Sequence, residues 1–267
     1  MNDHSEDKVF SLERQQAILA FVEENKKATV AELCQIFKVS TSTIRNDLRE
    51  MEKNMLVTRT HGGVLIRSKT GVEMMSTEKE VCNHDAKVMV AQLALEQIED
   101  GDTLLLDTGT TTLELAKILG ERQQLTVITN DLKIALTLED SPGVVNLFFI
   151  GGAVRKQLHC VIPFSNDNSL SDLIIDKAIM GTNGFTLKNG ATTPDVRQAA
   201  FKKKMIACST SVILLADSTK IGRDAFAKFA DISDIHIFIT DSIKDDVRSG
   251  LEAQGMLVCD GSAKNHG

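Results

Sequence analysis

The chain holds 267 residues, 42% of them apolar and 25% charged, with a net charge of −7. That composition excludes a disordered chain, and no apolar run approaches the roughly 18 residues of a membrane helix. The length suits one large domain or two ordinary ones.

The polar, acidic N-terminus lacks the charged-then-apolar order of a secretory signal, so a cytoplasmic location is expected. Five scattered cysteines with no Cys-x-x-Cys pair argue against a disulfide framework and a zinc site. Charge is uneven. Residues 38–69 carry seven basic side chains against three acidic ones, while the chain beyond residue 70 is strongly acidic. A local basic surface on an acidic protein points to one face that meets an anion lattice.

A first helix is expected over Leu12 to Glu24, with Ala17, Ile18, Phe21 and Val22 as its apolar stripe. Thr29-Val30-Ala31-Glu32 is a capping box. It opens a short helix with Val30, Leu33, Cys34 and Phe37 on one face, ending near Lys38-Val39. Ser40 then caps a third helix, Thr41 to roughly Lys53. The tight connection matches a helix-turn-helix.

That third helix has two faces. Ile44, Leu48 and Met51 should pack inward, and Ser42, Arg45, Asn46 and Arg49 should point outward. The outward set can bond base edges and phosphates. Asp47 suits a role inside the protein, orienting an arginine or a backbone amide. Leu56 to Thr60 reads as a strand, His61-Gly62-Gly63 as its turn, and Val64 to Arg67 as the returning strand of a wing. The candidate DNA contacts are Ser40, Thr41, Ser42, Thr43, Arg45, Asn46, Arg49, Arg59, His61 and Arg67.

Arg14-Gln15, Val30-x-Glu32-Leu33, Val39-Ser40-x-x-Thr43-Ile44-Arg45-x-Asp47-Leu48 and Arg59-x-His61-Gly62-Gly63 resemble the N-terminal signature of the DeoR family of bacterial transcriptional regulators. Position 46 holds Asn46 where the family usually has arginine. Asparagine reads adenine bidentately, whereas arginine favours guanine or phosphate.

Residues 68–83 read as a linker between a winged helix-turn-helix domain, residues 1–67, and an α/β domain, residues 84–267. In the latter, strands are expected at Thr103–Leu106, Leu125–Ile128, Val144–Ile150, Lys177–Met180, Ser211–Ala216, Ile235–Ile239 and Met256–Cys259, with helices between most of them. Apolar strands separated by amphipathic helices indicate a largely parallel sheet covered on both faces. Ligands of such sheets sit beyond the carboxyl ends of the strands.

Polar residues collect at those ends. Asp107-Thr108-Gly109-Thr110-Thr111-Thr112 leads into a helix, offering hydroxyls, free N–H groups and a positive dipole end suited to a phosphate monoester. Thr129-Asn130, Gly151-Gly152 with Arg155, Gly181, and Asp217 with Lys220 end other strands. The candidate effector residues are Asp107, Gly109, Thr110, Thr111, Thr112, Thr129, Asn130, Gly151, Gly152, Arg155, Gly181, Asp217 and Lys220. These same elements resemble the DeoR effector domain, whose fold is related to ribose-5-phosphate isomerase. The resemblance implies recognition of a phosphorylated sugar or similar metabolite. Two departures bear on ligand identity. His159 to Phe164 replaces a glycine- and serine-containing stretch, and Gln198 and Ala200 stand where relatives often carry an acidic pair.

The leading expectation is a ligand-responsive DNA-binding regulator, a repressor of a sugar or polyol catabolic operon. It would act as a homo-oligomer, because a two-fold operator needs two heads. A sugar-phosphate isomerase with a DNA-binding head is the alternative, with Asp107 and Asp217 as candidate bases. A metal-responsive regulator is disfavoured, since His61, His84 and His159 lack ligand spacing. No catalytic residue, cofactor or metal site is expected.

Overall fold

The computed structural model describes residues 3–25, 27–53, 56–60, 62–66, 73–164 and 168–261. The chain forms two compact units, Met1–Met74 and Met75–Gly267. Among the described residues no helix is long and apolar enough to cross a membrane.

The first unit contains α1 (Asp3–Asn25), β1 (Lys27–Thr29), α2 (Val30–Phe37), α3 (Thr41–Lys53), β2 (Val57–Arg59) and β3 (Gly63–Ile66). Helix α1 begins nine residues before the expected start. Nothing in Asp3–Ser11 breaks a helix, but the apolar stripe that marks one begins only later. The Thr29–Glu32 capping box forms in full, with the threonine hydroxyl accepting from Glu32 N at 3.1 Å and the glutamate accepting from Thr29 N at 2.7 Å. Lys38 ends α2 in the left-handed region at φ 52°. Ile18, Val22, Leu33, Ile44, Leu48, Met51, Val57 and Val64 close the core.

The wing is a three-stranded antiparallel sheet in the order β1-β3-β2. β1 went unread in the sequence, being three residues long with only Ala28 buried. Its presence explains Gly63: a Cβ there would stand 2.2 Å from the Ala28 carbonyl oxygen. His61 and Arg67, two of the candidate DNA contacts, lie outside the described residues.

The second unit opens with α4 (Ser76–Val81) and α5 (His84–Leu95). Residues 76–81 are therefore helical, although they fall in the segment read as linker. There follow β4 (Thr103–Leu106), α6 (Thr110–Ile118), β5 (Leu125–Thr129), α7 (Leu132–Glu139), β6 (Val144–Phe149), β7 (Ala153–Arg155), β8 (Cys160–Ile162) and β9 (Ile175–Gly181). The rest is β10 (Gly184–Thr186), β11 (Gly190–Thr193), α8 (Val196–Ala207), β12 (Ser209–Leu215), β13 (Ala227–Ala230), β14 (Ile237–Ile239), α9 (Asp245–Glu252) and β15 (Leu257–Cys259).

Seven strands form one sheet in the order β15-β14-β12-β9-β4-β5-β6, every pair parallel. Successive side chains alternate between two cores. Leu104 and Leu106 join Val127, Ile179, Ile213 and Ile239 under α5, α6 and α7. Leu105 joins Ala178, Met180, Leu214 and Phe238 under α8 and α9. A small antiparallel sheet, β10-β11-β13, extends the second core, with Phe185 stacked on Phe238 at 4.7 Å. β7 and β8 form a hairpin of their own. The main sheet grows from β4 through β5 to β6, then resumes on the other flank of β4 with β9. The β4/β9 boundary is therefore the topological switch point, where ligands of such sheets bind.

Candidate functional site

In the first unit, α3 presents Thr41, Ser42, Arg45, Asn46 and Arg49 to solvent, with Ile44, Leu48 and Met51 buried beneath. Ser40 caps the helix, its hydroxyl accepting from Thr43 N at 3.2 Å and sharing bonds with the Ser42 and Thr43 hydroxyls. Asn46 Oδ1 accepts from Arg49 Nη1 at 2.8 Å, so one outward residue orients another. Asp47 turns inward, where its carboxylate takes Arg14 Nε at 2.6 Å and Nη2 at 3.1 Å, together with the Ser11 hydroxyl. It fixes α1 against α3. A groove of about 280 Å³ runs between α3 and the wing, lined by Thr41, Arg45, Arg59 and Gly62-Gly63 among others. Arg59 pairs with Glu52 at 3.6 Å, and its backbone N–H donates to the same carboxylate.

In the second unit the carboxyl ends of β12, β9, β4, β5 and β6 stand side by side in register. They carry Asp217, Gly181, Asp107, Asn130 and Gly151 along one edge. Asp107 and Gly181 meet across the switch point, where Asp107 Oδ2 accepts from Gly181 N at 2.9 Å. The same oxygen takes Lys202 Nζ, which also donates to Gly181 O at 2.8 Å and lies 4.8 Å over the Phe229 ring. Asp107 and Lys202 are both almost wholly buried. Burial pushes the Asp107 carboxyl above its ordinary range, against the opposing pull of Lys202. Its second oxygen has no hydrogen-bond partner.

Beside it, Gly109 takes φ 156° and ψ 163°, a region open essentially to glycine alone, and starts α6. Thr112 is fully buried, and its hydroxyl donates back to Gly109 O at 2.9 Å. Thr110 and Thr111 stand at the first turn of α6. Thr108 Oγ1 donates to Asp131 Oδ2 at 2.5 Å, and Asp131 caps α7 through Lys133 N and Ile134 N. Thr129 is committed to this turn, accepting from Asp131 N. Asn130 donates to Val161 O at 2.8 Å, and its Oδ1 is buried and unpartnered.

Asp217 Oδ1 accepts from Thr219 N and from the Thr219 hydroxyl, and its Oδ2 lacks a hydrogen bond, with Lys220 Nζ 3.9 Å away. Burial pushes this carboxyl up, but Lys220, Thr219 and Lys87 outweigh it and hold it below the ordinary range.

Gly152 and Arg155 also make contacts within the domain. Gly152 (φ 149°) begins the β7–β8 hairpin, and a Cβ there would lie 2.3 Å from Ile162 O. Arg155 faces the start of α8, bonding Gln198 Oε1 at 3.2 Å and standing 3.6 Å from Asp195. Gln198 also accepts from the Thr193 hydroxyl at 2.9 Å. Ala200, the other departure, is exposed. Lys202 and Asp131 are not among the strand-end candidates read from the sequence. Lys202 sits in a Lys-Lys-Lys run that reads as a solvated face, yet its spacing from Gln198, Ala199 and Met205 is that of a buried helical stripe.

Comparison with known proteins gives two family matches. Residues 14–70 match the DeoR-like helix-turn-helix domain, and residues 82–242 match the DeoR C terminal sensor domain. The HTH-type transcriptional regulator GlpR of Haloferax volcanii is 32% identical over 94% of this chain and 98% of its own length. The putative aga operon transcriptional repressor of Escherichia coli O157:H7 is 31% identical over 92% of each. Among solved structures, ribose 5-phosphate isomerase A of Methanocaldococcus jannaschii is similar over 52% of this chain and 55% of that one, at 17% identity and a TM-score of 0.39.

Proposed function

The chain belongs to the DeoR family of transcriptional regulators, and from that premise we propose that it represses a sugar or polyol catabolic operon under the control of a phosphorylated sugar or polyol. Its partner is double-stranded DNA, met by a helix-turn-helix. The proposed contacts are the exposed face of α3, the hydroxyls of Ser40 to Thr43, Arg59 in the wing, and His61 and Arg67 from the sequence. Repression is supported by a relative named for it.

One observation carries the effector class. Asp107 Oδ1, Asn130 Oδ1 and Asp217 Oδ2 are three buried oxygens without hydrogen-bond partners, on three strand ends of one sheet edge. A buried acceptor left unpaired costs about 1–3 kcal/mol. A molecule bearing several hydroxyls supplies the missing donors. Lys220 and the N–H groups of α6 at Thr110 and Thr111 add the positive charge and dipole that favour a phosphate on the same molecule. Control follows from linkage. An effector that prefers one arrangement of the protein shifts the population that binds operator. A homo-oligomer acting in the cytoplasm supplies two heads for a two-fold operator.

The isomerase alternative finds less support. Aldose–ketose chemistry needs a carboxylate base at a substrate carbon. Asp107, the candidate by position, has one oxygen engaged by Gly181 N–H and Lys202. No catalytic role is assigned.

Fluorescence anisotropy on the DNA upstream of this gene's operon, at fixed salt, tests the reading against a panel of sugar and polyol phosphates. Tight binding that one phosphate shifts at least about tenfold is the expected result. Tight binding indifferent to the whole panel removes the effector class. Binding no better than to random DNA removes operator recognition. Arg45→Ala and Arg49→Ala should each weaken operator binding by about 1–3 kcal/mol for a lost base contact, or lower the salt slope by about one for a lost phosphate contact. Unchanged affinity and slope in both would refute the assigned face of α3.

A further inference from the structure

The segment through which the chain enters the second unit is gripped by the effector edge itself. Asn83, in the turn between α4 and α5, donates from Nδ2 to Asp217 Oδ1 at 3.2 Å and lies 3.3 Å from the Thr219 hydroxyl. Lys87 is almost wholly buried and donates to the carbonyls of Lys79 and Cys82 at the end of α4. Glu80 pairs with Lys133 at 2.5 Å, on the helix that Asp131 caps. Ser76 N donates to Gln157 O at 2.9 Å, in the β7–β8 turn two residues beyond Arg155. The Asp217–Thr219 loop, helix α7 and the β7–β8 turn thus hold α4 and the turn that follows it.

We propose that Asn83 is the positioning residue of a relay: it ties the Asp217–Lys220 loop to α4, so that effector binding at the sheet edge resets α4 and, through the chain that leads from it, operator affinity. This rests on the sugar-phosphate reading above. Asp217 Oδ1 already accepts two bonds from Thr219, and Asn83 supplies another. A ligand hydroxyl on Asp217, or a phosphate that draws Lys220 away, changes how strongly the carboxylate holds the Asn83 amide. Effector and clasp therefore draw on one carboxylate, and a shared acceptor couples two events thermodynamically. Asn83 sits at φ 51°, a conformation glycine would take with less strain. Asparagine is tolerated there, and it brings the amide.

The test uses the full chain with inorganic phosphate, ribose 5-phosphate and glucitol 6-phosphate as probes. Calorimetry reads ligand affinity, and anisotropy reads operator affinity with and without ligand. Asn83→Gly keeps the left-handed backbone and removes the amide, and Asn83→Asp sets a second carboxylate against Asp217. Asn83→Gly should bind the effective probe within about threefold of the parent, and in both variants the operator shift falls from about tenfold to less than about twofold. Glu80→Gln, which loosens the second clasp, should reduce the shift part-way. A full operator shift in Asn83→Gly overturns the relay. So does loss of ligand binding in that variant, which would make Asn83 part of the ligand site. A parent protein that no probe binds or shifts removes the sugar-phosphate reading and the relay together, whereas a responsive parent with equally responsive variants removes the relay alone.

Discussion

Lys202 shows what a single side chain decides in this protein. It lies among Gln198, Ala199, Phe201 and Met205 on the buried face of α8 and neutralises Asp107 at the switch point. Removing one partner of a buried pair strands the other charge at a cost of about 3–5 kcal/mol, whereas replacing both is far milder. Lys202→Met should therefore lower the urea midpoint of the α/β domain sharply, and the pair Asp107→Asn with Lys202→Met should recover most of the loss. Equal losses in the single and double variants would show that the pair is not what stabilises the switch point. Asp107, Asn130 and Asp217 are legible as polar residues following apolar strands, and Gly181 as the glycine that ends one. Lys202, Asp131 and Asn83 are not, because their partners lie 95, 23 and 134 positions away along the chain. Thr112 and Thr129 also bond within their own turns, and Gly152 lies close to the Ile162 carbonyl.

At the scale of elements, long periodic segments and capped helices are written in local spacing. The capping box at Thr29, the serine cap at Ser40 and the parallel strands β4, β5, β9 and β12 are of this kind. The short antiparallel strands β1, β7, β8, β10, β11 and β13 are not. Each is three or four residues long, too short for alternation to register; β1 and β13 depend on strands far along the chain, while β7–β8 and β10–β11 depend on their hairpin partners. Helix α4 went unread for a related reason: six residues make little period, and its polar sequence draws its order from Lys87, Lys133 and Gln157. The wing offers a clean check. Gly63→Ala forces a methyl against the Ala28 carbonyl, where overpacking costs about 1–3 kcal/mol or more. Operator binding should fall while ligand binding by the α/β domain is kept. Thr29→Ala, which removes only a cap, should cost about 1 kcal/mol. A Gly63→Ala protein that melts and binds DNA like the parent would show that β1 does not pair as described.

Stability of the whole molecule should carry a signature of Lys87. Burial lowers its pKa from 10.5 to about 8. Between those values the folded chain has released a proton that the unfolded chain still holds, so stability rises with pH across that window. Below pH 8 the full penalty stands, on the order of 3 kcal/mol. Lys87→Met should flatten the rise in urea midpoint between pH 7.5 and 9.5, and an identical slope in the two proteins would refute the assignment. The three cores have a different consequence. Among the described residues, the first core draws on side chains between Ile18 and Val64, and the other two on side chains between Val90 and Val258. Each of these three clusters, among the described residues, belongs to one unit. Selection, or an engineer, can therefore exchange one half without repacking the other, provided the junction falls before Met75. A graft made there brings α4 together with the loops that clasp it. Such a chimera would address its old promoter and answer to a new metabolite, whereas one joined a dozen residues later would inherit a sensor cut off from its own helix.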